Sequence, residues 1–519
     1  MILVYAALLA FVTALVWLQI RCKRPPSWIR GLELLGKRSK QQIPGTAVIC
    51  GGSVAGILAA RVCSDHFEKV LVVDPDMDDP DKQSSRILQW RAMHVYLAIF
   101  VQGARRLWPD LEEEVNIARG RSAANDLQLH YSGVVPLVPY DEQAGRLPRT
   151  FGMRRATMQK VLHRLLRKTV ANARNVTLLA ATVRGVGPTE GRGTLETVRA
   201  RLPDGSQKEI SDVALVVDCT GQAQAGFKWL QSAGYLMSST VRQSYDPNLG
   251  YTTWAFQLSA QAIASLPIPE KERDSVISYL YSPHDESTSS LFALLLGDDN
   301  VVQLLFGDAS DGVAGELPSG TEDILPFLRS YRGMHKPMPE WVLPVVEKIL
   351  QEDAAPTYNT FHLGPLQNIA YQTLPADTLP SNLIALGDAS IYLNPVHGQG
   401  FGKAMINAIV LNTLLHSTQA ALPADFAHRY FVEAAKCTRG LWDATRLHDY
   451  GSLSCKPMDG ETKDTGKFVR WIEKKMLSAA VYDAEVGSAL WHIRQMLADD
   501  TLLLAPSILA KVLWARSLF

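Results

Sequence analysis

After residue 45 the sequence begins with short apolar runs that are separated by a turn and an amphipathic stretch. TAVIC at 46–50, a glycine-rich turn, the helical stretch ILAARVCSDHF at 57–67 and VLVVD at 70–74 follow one another. This order predicts strand, turn, helix and strand, which opens a doubly wound parallel sheet. Three further apolar runs predict later strands, with Asp204-Gly205 as a hairpin turn between two of them: VTLLAATV at 176–183, LETVRARL at 195–202 and ALVVD at 214–218.

The pattern changes in the middle of the chain. YTTWAFQL at 251–258, SSLFALLL at 289–296 and NVVQLLF at 300–306 are β-type runs broken by polar turns. They predict an antiparallel sheet with some helix, inserted into the first domain. NLIALGD at 382–388 then resembles a buried strand of the first domain, and the remainder of the chain is helical in pattern.

The sequence therefore predicts an α/β protein with a Rossmann-type nucleotide-binding domain and an inserted antiparallel-sheet domain. A helical C-terminal region and an N-terminal transmembrane helix complete the prediction. The predicted boundaries are an anchor at 1–20, a linker at 21–44, the nucleotide-binding domain at 45–235 and 376–402, the inserted domain at 236–375 and the helical region at 403–519.

The first 20 residues, MILVYAALLAFVTALVWLQI, contain no charged side chain. As a helix they would extend about 30 Å, the thickness of a bilayer core. Basic residues follow in RCKRPPSWIR, which by the positive-inside rule predicts a single-pass membrane protein with a cytosolic body, in the endoplasmic reticulum of a eukaryotic cell. A cleaved secretory signal is the alternative.

Composition excludes several classes of function. The chain of 519 residues has 52 basic and 52 acidic side chains and no basic tract interleaved with aromatic residues, so nucleic acid is not an expected partner. Its six cysteines are scattered without metal-ligand spacing, so we expect free thiols and no metal site.

The turn at 51–56 resembles the dinucleotide fingerprint G-x-G-x-x-G with one exception. Gly51 and Gly56 match the first and third glycines, but Ser53 stands at the second position. The first glycine permits the tight turn and the third lets helix and strand pack closely. Asp74 ends the next strand, where an acid accepts from a ribose hydroxyl; the alternative is a turn-former ahead of Pro75.

Two later segments add chemistry. FGMRRATMQKVLHRLL at 151–166 places an arginine pair, including Arg155, at the head of an amphipathic helix. NLIALGDASIYLNPVHGQGFGKAMINAIVLNTLL at 382–415 places Gly387 and Asp388 after a strand, and a second turn before a helix. That second turn contains Pro395, Gly398, Gln399 and Gly400.

Together with the 51–56 turn, these segments resemble the FAD-dependent class A monooxygenases, the para-hydroxybenzoate hydroxylase-like family. The likeness is greater to the polyprenyl-methoxyphenol hydroxylase-like branch used in secondary metabolism. SSRILQWRAMHVYL, with Arg86, and DPNLGYTTWAF are similar to further segments of that branch. Serine is frequent at the second glycine position of such flavin enzymes, so the turn is identified as a cofactor loop.

The resemblance implies FAD as cofactor and assigns residues to it. Arg155 would reach the pyrophosphate, and Asp388 would accept from the ribityl chain. The turn from Pro395 to Gly400 would present helix N–H groups to the flavin, with Pro395 on the flavin face. The remaining implied FAD contacts are Gly51, Ser53, Gly56, Asp74, Arg86, Asp218, Gly221 and Gly387.

The segment VVDCTGQAQAG departs from the family pattern, because Gln222 and Gln224 replace the usual arginine and serine. The sequence therefore gives the least support to the expected reductant, NADPH or NADH. No catalytic residue is assigned, although His94 and His397 are candidate bases.

The implied reaction is hydroxylation or epoxidation, with O₂, of a lipophilic small molecule such as a terpenoid, meroterpenoid or polyketide. Three alternatives remain. One is a flavin-dependent reductase or dehydrogenase of a prenyl lipid, which the DCTG segment at 218–221 leaves open because such enzymes often have a D-x-T-G-like motif. The second is a flavin halogenase, although the chain has no W-x-W-x-I-P-type segment. The third is an FAD-stabilised scaffold without turnover.

Overall fold

A computed structural model describes residues 2–79, 89–282, 291–308, 317–330, 336–352 and 355–519, with side chains from residue 10 onward except that of Ser239. The strands in chain order are β1 (Ile43–Cys50), β2 (Phe67–Val73), β3 (Arg121–Ala124), β4 (Leu129–Tyr131), β5 (Arg149–Gly152), β6 (Val176–Leu179), β7 (Thr182–Pro188), β8 (Leu195–Arg201), β9 (Gln207–Ile210), β10 (Val213–Asp218), β11 (Arg242–Tyr245), β12 (Leu249–Gln257), β13 (Tyr279–Ser282), β14 (Leu291–Leu296), β15 (Val301–Asp308), β16 (Thr357–Leu363), β17 (Leu366–Ile369) and β18 (Leu383–Ala385). The helices are α1 (Ile2–Cys22), α2 (Ser27–Gly31), α3 (Val54–Ser64), α4 (Ala98–Leu107), α5 (Leu111–Ile117), α6 (Arg155–Ala173), α7 (Ala225–Ser232), α8 (Ala260–Ser265), α9 (Glu270–Asp274), α10 (Thr321–Arg329), α11 (Val342–Glu352), α12 (Gly400–His416), α13 (Phe426–Asp449), α14 (Lys467–Ala480), α15 (Ala484–Arg494) and α16 (Pro506–Trp514).

Five parallel strands form the first sheet, in the order β18-β10-β1-β2-β6. β1 lies at its centre, and Ala47, Val48 and Ile49 are fully buried. A parallel strand covered on both faces needs a continuous apolar run, which explains the pattern of β1. Helix α3 follows β1 directly and packs against α12, whose side chains are buried on nearly every side.

A second sheet of six strands has the order β16-β12-β15-β14-β13-β4. Alternation along β14 divides its side chains between two faces. Phe292 and Leu294 pack with residues of α10 and α11, whereas Ala293 lies in a separate apolar cluster with Met93 and Val95 on the other face. The sheet takes β4 from the segment assigned to the nucleotide-binding domain, since β4 pairs in parallel with β13.

The prediction of a transmembrane helix at residues 1–20 is wrong. Among the helices of the described residues, none is both long enough and apolar enough to cross a bilayer. The end of α1 instead makes polar contacts with the C-terminal helices. Gln19 exchanges hydrogen bonds of 2.9 and 3.1 Å with Ser507, and Lys23 forms an ion pair of 2.9 Å with Glu485. The single-pass topology and the membrane localisation inferred from residues 1–20 are wrong for the same reason.

Candidate functional site

A cavity of about 790 Å³ lies at the carboxyl ends of the parallel strands, where open α/β sheets bind ligands. Cys50, Val73, Cys219 and Leu386, at the ends of β1, β2, β10 and β18, contribute to its wall. Ten residues that the sequence assigned to cofactor or flavin contacts line this one cavity: Gly51, Ser53, Asp74, Arg155, Gly221, Gly387, Asp388, Pro395, Gly398 and Gly400.

Three of the assigned residues that the structure describes do not line the cavity wall. Gly56 packs inside the loop, Asp218 is fully buried below it, and Gln399 points towards Thr445 at 3.5 Å. Arg86 lies in the segment 80–88, outside the described residues.

Glycines are required at two positions of the loop between β1 and α3. Gly51 has a φ of +127°, and a Cβ on it would lie 2.3 Å from the carbonyl oxygen of Cys219. A Cβ on Gly56 would lie 1.8 Å from the carbonyl oxygen of Gly51, so Gly56 allows α3 to pack against its own loop. At Gly52, which the motif did not single out, a Cβ would lie 1.9 Å from Met77 Cε, the end of a flexible side chain, and 3.0 Å from Asp74 Cβ.

Asp74 closes this loop from the end of β2. Its carboxylate accepts from the N–H of Gly52 at 2.9 Å and from the N–H of Asp76 at 2.9 Å. The same side chain lines the cavity. Asp74 therefore shapes the loop and also presents a carboxylate to the cavity.

One face of α6 lies against the same loop. Arg155 Nη2 donates to Ser53 Oγ at 2.8 Å, Gln159 Nε2 donates to Gly52 O at 3.1 Å, and His163 Nε2 lies 3.0 Å from Gly52 O. Burial lowers the pKa of His163. The sequence analysis did not single out His163, although its spacing of four residues from Gln159 and eight from Arg155 would have placed it on that face.

The two arginines at the head of α6 have different partners. Arg154 forms an ion pair of 2.7 Å with Asp298 in the turn before β15, and its backbone N–H donates to the same carboxylate. It thereby joins α6 to the six-stranded sheet. Arg155 faces the cavity, with its guanidinium 5.8 Å from the ring of Trp90 and 5.2 Å from that of Phe401.

Arg155 is a buried cation with unused hydrogen-bonding capacity. Only 4% of the residue is exposed, and Nη1 has no hydrogen-bond partner among the described residues. Burial lowers its pKa to about 10, so the guanidinium stays charged at neutral pH. A buried charge with an unsatisfied donor at a cavity wall suits an anionic ligand such as a pyrophosphate.

Asp218 shapes the turn after β10 from below. It accepts from the N–H and the hydroxyl of Thr220 at 2.9 and 2.7 Å and from the N–H of Gly226 at 2.7 Å. Burial raises its pKa. Gly221, the residue after Thr220 in the direction of α7, then reaches the cavity wall with a φ of +66°.

Lys403 is a second functional candidate that the sequence analysis did not find. Its side chain is 1% exposed, its Nζ donates to Asp388 Oδ1 at 2.6 Å, and it also donates to the carbonyl of Ile391. Asp388 itself is 37% exposed towards the cavity. The pair places a buried cation behind the carboxylate that the resemblance assigns to the ribityl chain.

The turn from Pro395 to Gly400 ends in the N-terminus of α12. Asn394 caps its first residues by accepting from the N–H of Val396 at 3.1 Å, and Gly398 has a φ of +68°. No described protein atom lies within 4 Å of a Cβ built on Gly400. The free N–H groups and the positive end of this 17-residue helix lie at the cavity wall.

The two candidate bases differ in environment. His94 is held by the carbonyl of Ala92 at 3.0 Å, and burial together with the charge of Arg155 lowers its pKa to about 4. His397 lines the cavity and places Nε2 3.4 Å from Asp449 Oδ1. His94 is therefore a neutral side chain, whereas His397 has a carboxylate partner.

These residues fit FAD. The glycine loop leaves backbone room, Arg155 has an unpaired buried donor, and Asp388 presents a carboxylate to the same cavity. Such a set matches a pyrophosphate near the first helix and a hydroxylated chain near the second.

Comparison with known proteins gives the same fold. No family model matches the chain. A curated relative, Protein Rv3254 of Mycobacterium tuberculosis, is 23% identical over 489 residues, covering 89% of this chain and 91% of its own.

Solved structures of similar fold include PqsL, a probable FAD-dependent monooxygenase from Pseudomonas aeruginosa. It has a TM-score of 0.53 and 16% identity, covering 78% of this chain and 96% of PqsL. The flavin-dependent brominase Bmp2 has a TM-score of 0.54 and 13% identity, covering 91% and 98%. The tetrameric 2-methyl-3-hydroxypyridine-5-carboxylic acid oxygenase has a TM-score of 0.52 and 15% identity, covering 86% and 96%.

The resemblance to the FAD-dependent class A monooxygenases is confirmed at the level of the fold, and the secondary-metabolism branch stays a prediction. The chain has the fold of the FAD-dependent monooxygenases.

Proposed function

We propose that the protein is an FAD-dependent monooxygenase that hydroxylates or epoxidises a lipophilic small molecule, with O₂ and with NADPH or NADH as reductant. The observation that carries the proposal is the buried, partly unpaired Arg155 beside the glycine loop, in one cavity with the Asp388–Lys403 pair. Bound FAD would supply the electron transfer and the activation of oxygen. The side chains of the cavity would bind the cofactor, orient the substrate and exclude water.

FAD binding is the first step of the proposal. The loop from Gly51 to Ser53 and the Arg155 cation would hold the pyrophosphate, and Asp74 would accept from the ribose. Asp388 would accept from the ribityl hydroxyls. The N-terminus of α12 would offer its N–H groups to the flavin ring, which gains negative charge on reduction.

The remaining cavity wall supports an apolar substrate. The face of the six-stranded sheet opposite α10 and α11 contributes Leu291, Ala293 and Leu305, and the segment before α4 contributes Met93 and Val95. These side chains form a surface that offers few hydrogen bonds, so affinity there would come from burial of apolar area. A prenylated phenol, terpenoid or polyketide fits this chemistry better than a small charged phenol.

The test is oxygen incorporation from isotopically labelled O₂. The FAD-loaded protein is incubated with NADPH or NADH and either a geranylated phenol or 4-hydroxybenzoate, and the products are analysed by mass spectrometry. We expect labelled oxygen in the geranylated product and little turnover of 4-hydroxybenzoate. Product oxygen from water, or turnover of the charged phenol alone, would contradict the proposal.

Two variants separate the pocket from the cofactor site. Ala293→Phe fills the apolar part of the cavity, so product formation should fall at least about tenfold while bound FAD is unchanged. Ala260→Phe, at the exposed start of α8, is the matched control. Reduced product without oxygen would indicate the reductase alternative, and a brominated product formed only with bromide would indicate a halogenase.

A further inference from the structure

The C-terminal helix α13 reaches the flavin-facing turn through one carboxylate. Asp449, the last residue of α13, is 8% exposed and lies 3.4 Å from His397 Nε2 through Oδ1. Its other oxygen, Oδ2, accepts from the amide of Asn394 at 3.0 Å and from the hydroxyl of Tyr245 at 2.8 Å. Asp449 thus binds both ends of the short helical turn Pro395–His397.

The carboxylate is held in its charged form. Burial acts to raise the pKa of Asp449, but the hydrogen bond and charge of His397, the charge of His448 and the hydrogen bond from Asn394 together lower it. Burial, and after it the nearby charge of Asp449, raises the pKa of the Cys455 thiol. A buried carboxylate of this kind stabilises a positive charge on an adjacent imidazole.

A second histidine, His448, lies between the His397–Asp449 pair and the partly exposed Glu473. The ring of His448 lies 5.5 Å from that of His397, edge to face, and its Nδ1 lies 3.2 Å from Glu473. The charge of Glu473 raises the pKa of His448 to about 9, against the opposing effects of burial and of the Arg470 charge. About a third of the His448 and Glu473 side chains is exposed, at 34% and 36%.

His397 has one nitrogen left for the cavity. Nε2 is directed to Asp449, whereas Nδ1 has no hydrogen-bond partner among the described residues. His94, the other histidine of the candidate pair, has its Nδ1 fixed on a backbone carbonyl and the Arg155 cation nearby. The two rings therefore have different surroundings.

We propose that His397, positioned by Asp449, is the group that takes up a proton when negative charge enters the cavity. This rests on the proposed binding of FAD. When bound FAD is reduced by two electrons, His397 would balance part of the added negative charge by accepting one proton from solvent on Nδ1. The resulting imidazolium is paired with the Asp449 carboxylate, and no covalent bond other than N–H forms.

The test counts protons without any substrate. The full-length, FAD-loaded protein is reduced photochemically in the absence of oxygen, and proton uptake per FAD is measured with an indicator dye between about pH 6 and pH 9. Proton uptake per FAD by His397→Gln should be lower than that of the wild type by up to about one proton. Asp449→Asn should show the same loss, because the imidazolium then has no carboxylate partner.

His362→Gln is the control, since His362 is exposed on β16 and does not line the cavity. It should take up as many protons as the wild type. An unchanged proton count in His397→Gln with FAD bound overturns this inference. A wild-type protein that binds no FAD overturns the proposed function instead. If Asp449→Asn does not fold, the partly exposed His397→Gln variant decides alone.

Discussion

Lys403 donates a hydrogen bond to Asp388, although the two side chains differ in exposure. The lysine side chain is 1% exposed and the aspartate side chain 37%. The pair spans the turn between β18 and α12 and lies at the cavity wall. Only the cation is fully withdrawn from water. The charge of Lys403 therefore needs its partner more than the charge of Asp388 does.

We therefore expect removal of the two partners to have unequal costs. Asp388→Ala leaves a buried ammonium without its carboxylate and should destabilise the apoprotein by about 3 kcal/mol. Lys403→Met leaves a carboxylate that water can reach and should cost about 1 kcal/mol. Urea unfolding of the apoproteins measures both. The double variant should be more stable than Asp388→Ala alone, and strictly additive effects would contradict the account.

Substitutions at two glycines distinguish a glycine that the fold needs from a glycine that ligand binding needs. Gly56→Ala places a Cβ 1.8 Å from Gly51 O and should cost about 1–3 kcal/mol in the apoprotein. Gly400→Ala meets no described protein atom within 4 Å, so its apoprotein stability should stay within about 0.5 kcal/mol of the wild type.

At Gly400 the added methyl group enters the space proposed for the flavin, so FAD affinity should fall at least about tenfold. Flavin fluorescence titration measures this affinity. Gly191→Ala, in an exposed loop with open space around the Cβ, is the matched control and should change neither property. Wild-type FAD affinity in Gly400→Ala would show that the turn does not face the cofactor.

Acid should destabilise the protein through histidines that are buried in the neutral form. Burial lowers the pKa of His66 to about 4, against the ordinary value of about 6.5. A histidine with a lowered folded-state pKa contributes full stability above pH 6.5, and that contribution is lost as the pH falls towards 4. At pH 5 the loss from His66 alone is on the order of 2 kcal/mol.

The measurement is urea unfolding at pH 7 and pH 5. His66→Gln should lose less stability between these two values than the wild type, although it gives up the hydrogen bonds to Ser39 and Asn412. His362→Gln, on an exposed residue, should keep the wild-type pH dependence. Equal pH dependence in His66→Gln and the wild type would contradict the assignment.

The conformation of the glycine loop at 51–56 was predictable because its requirements are largely local. A buried strand, a glycine turn and a helix follow one another, the φ of +127° at Gly51 belongs to the turn itself, and the steric reason for Gly56 is the carbonyl oxygen of the nearby Gly51. The N-terminus of α12 was predictable for the same reason. His163 was within reach too, since helical spacing alone places it with Arg155.

Contacts between distant segments were not predictable from one sequence. His397 and Asp449 are 52 residues apart and meet only because α13 returns to the turn. Hydropathy alone also misled the interpretation of residues 1–20. It measures the length and apolarity of a segment, but it does not show that Gln19 meets Ser507 near the other end of the chain.

FAD content of the purified protein and its arginine variants tests the central claim most directly. The wild type should carry or take up about one non-covalent FAD per chain, released by heat and measured by absorbance. Arg155→Met should bind FAD at least about tenfold more weakly, because the buried donor is lost. Arg154→Met, which breaks the ion pair with Asp298 but not the cavity wall, should keep most of the affinity. A colourless wild-type protein that cannot be reconstituted with FAD, or an Arg155→Met variant with wild-type affinity, would contradict the account.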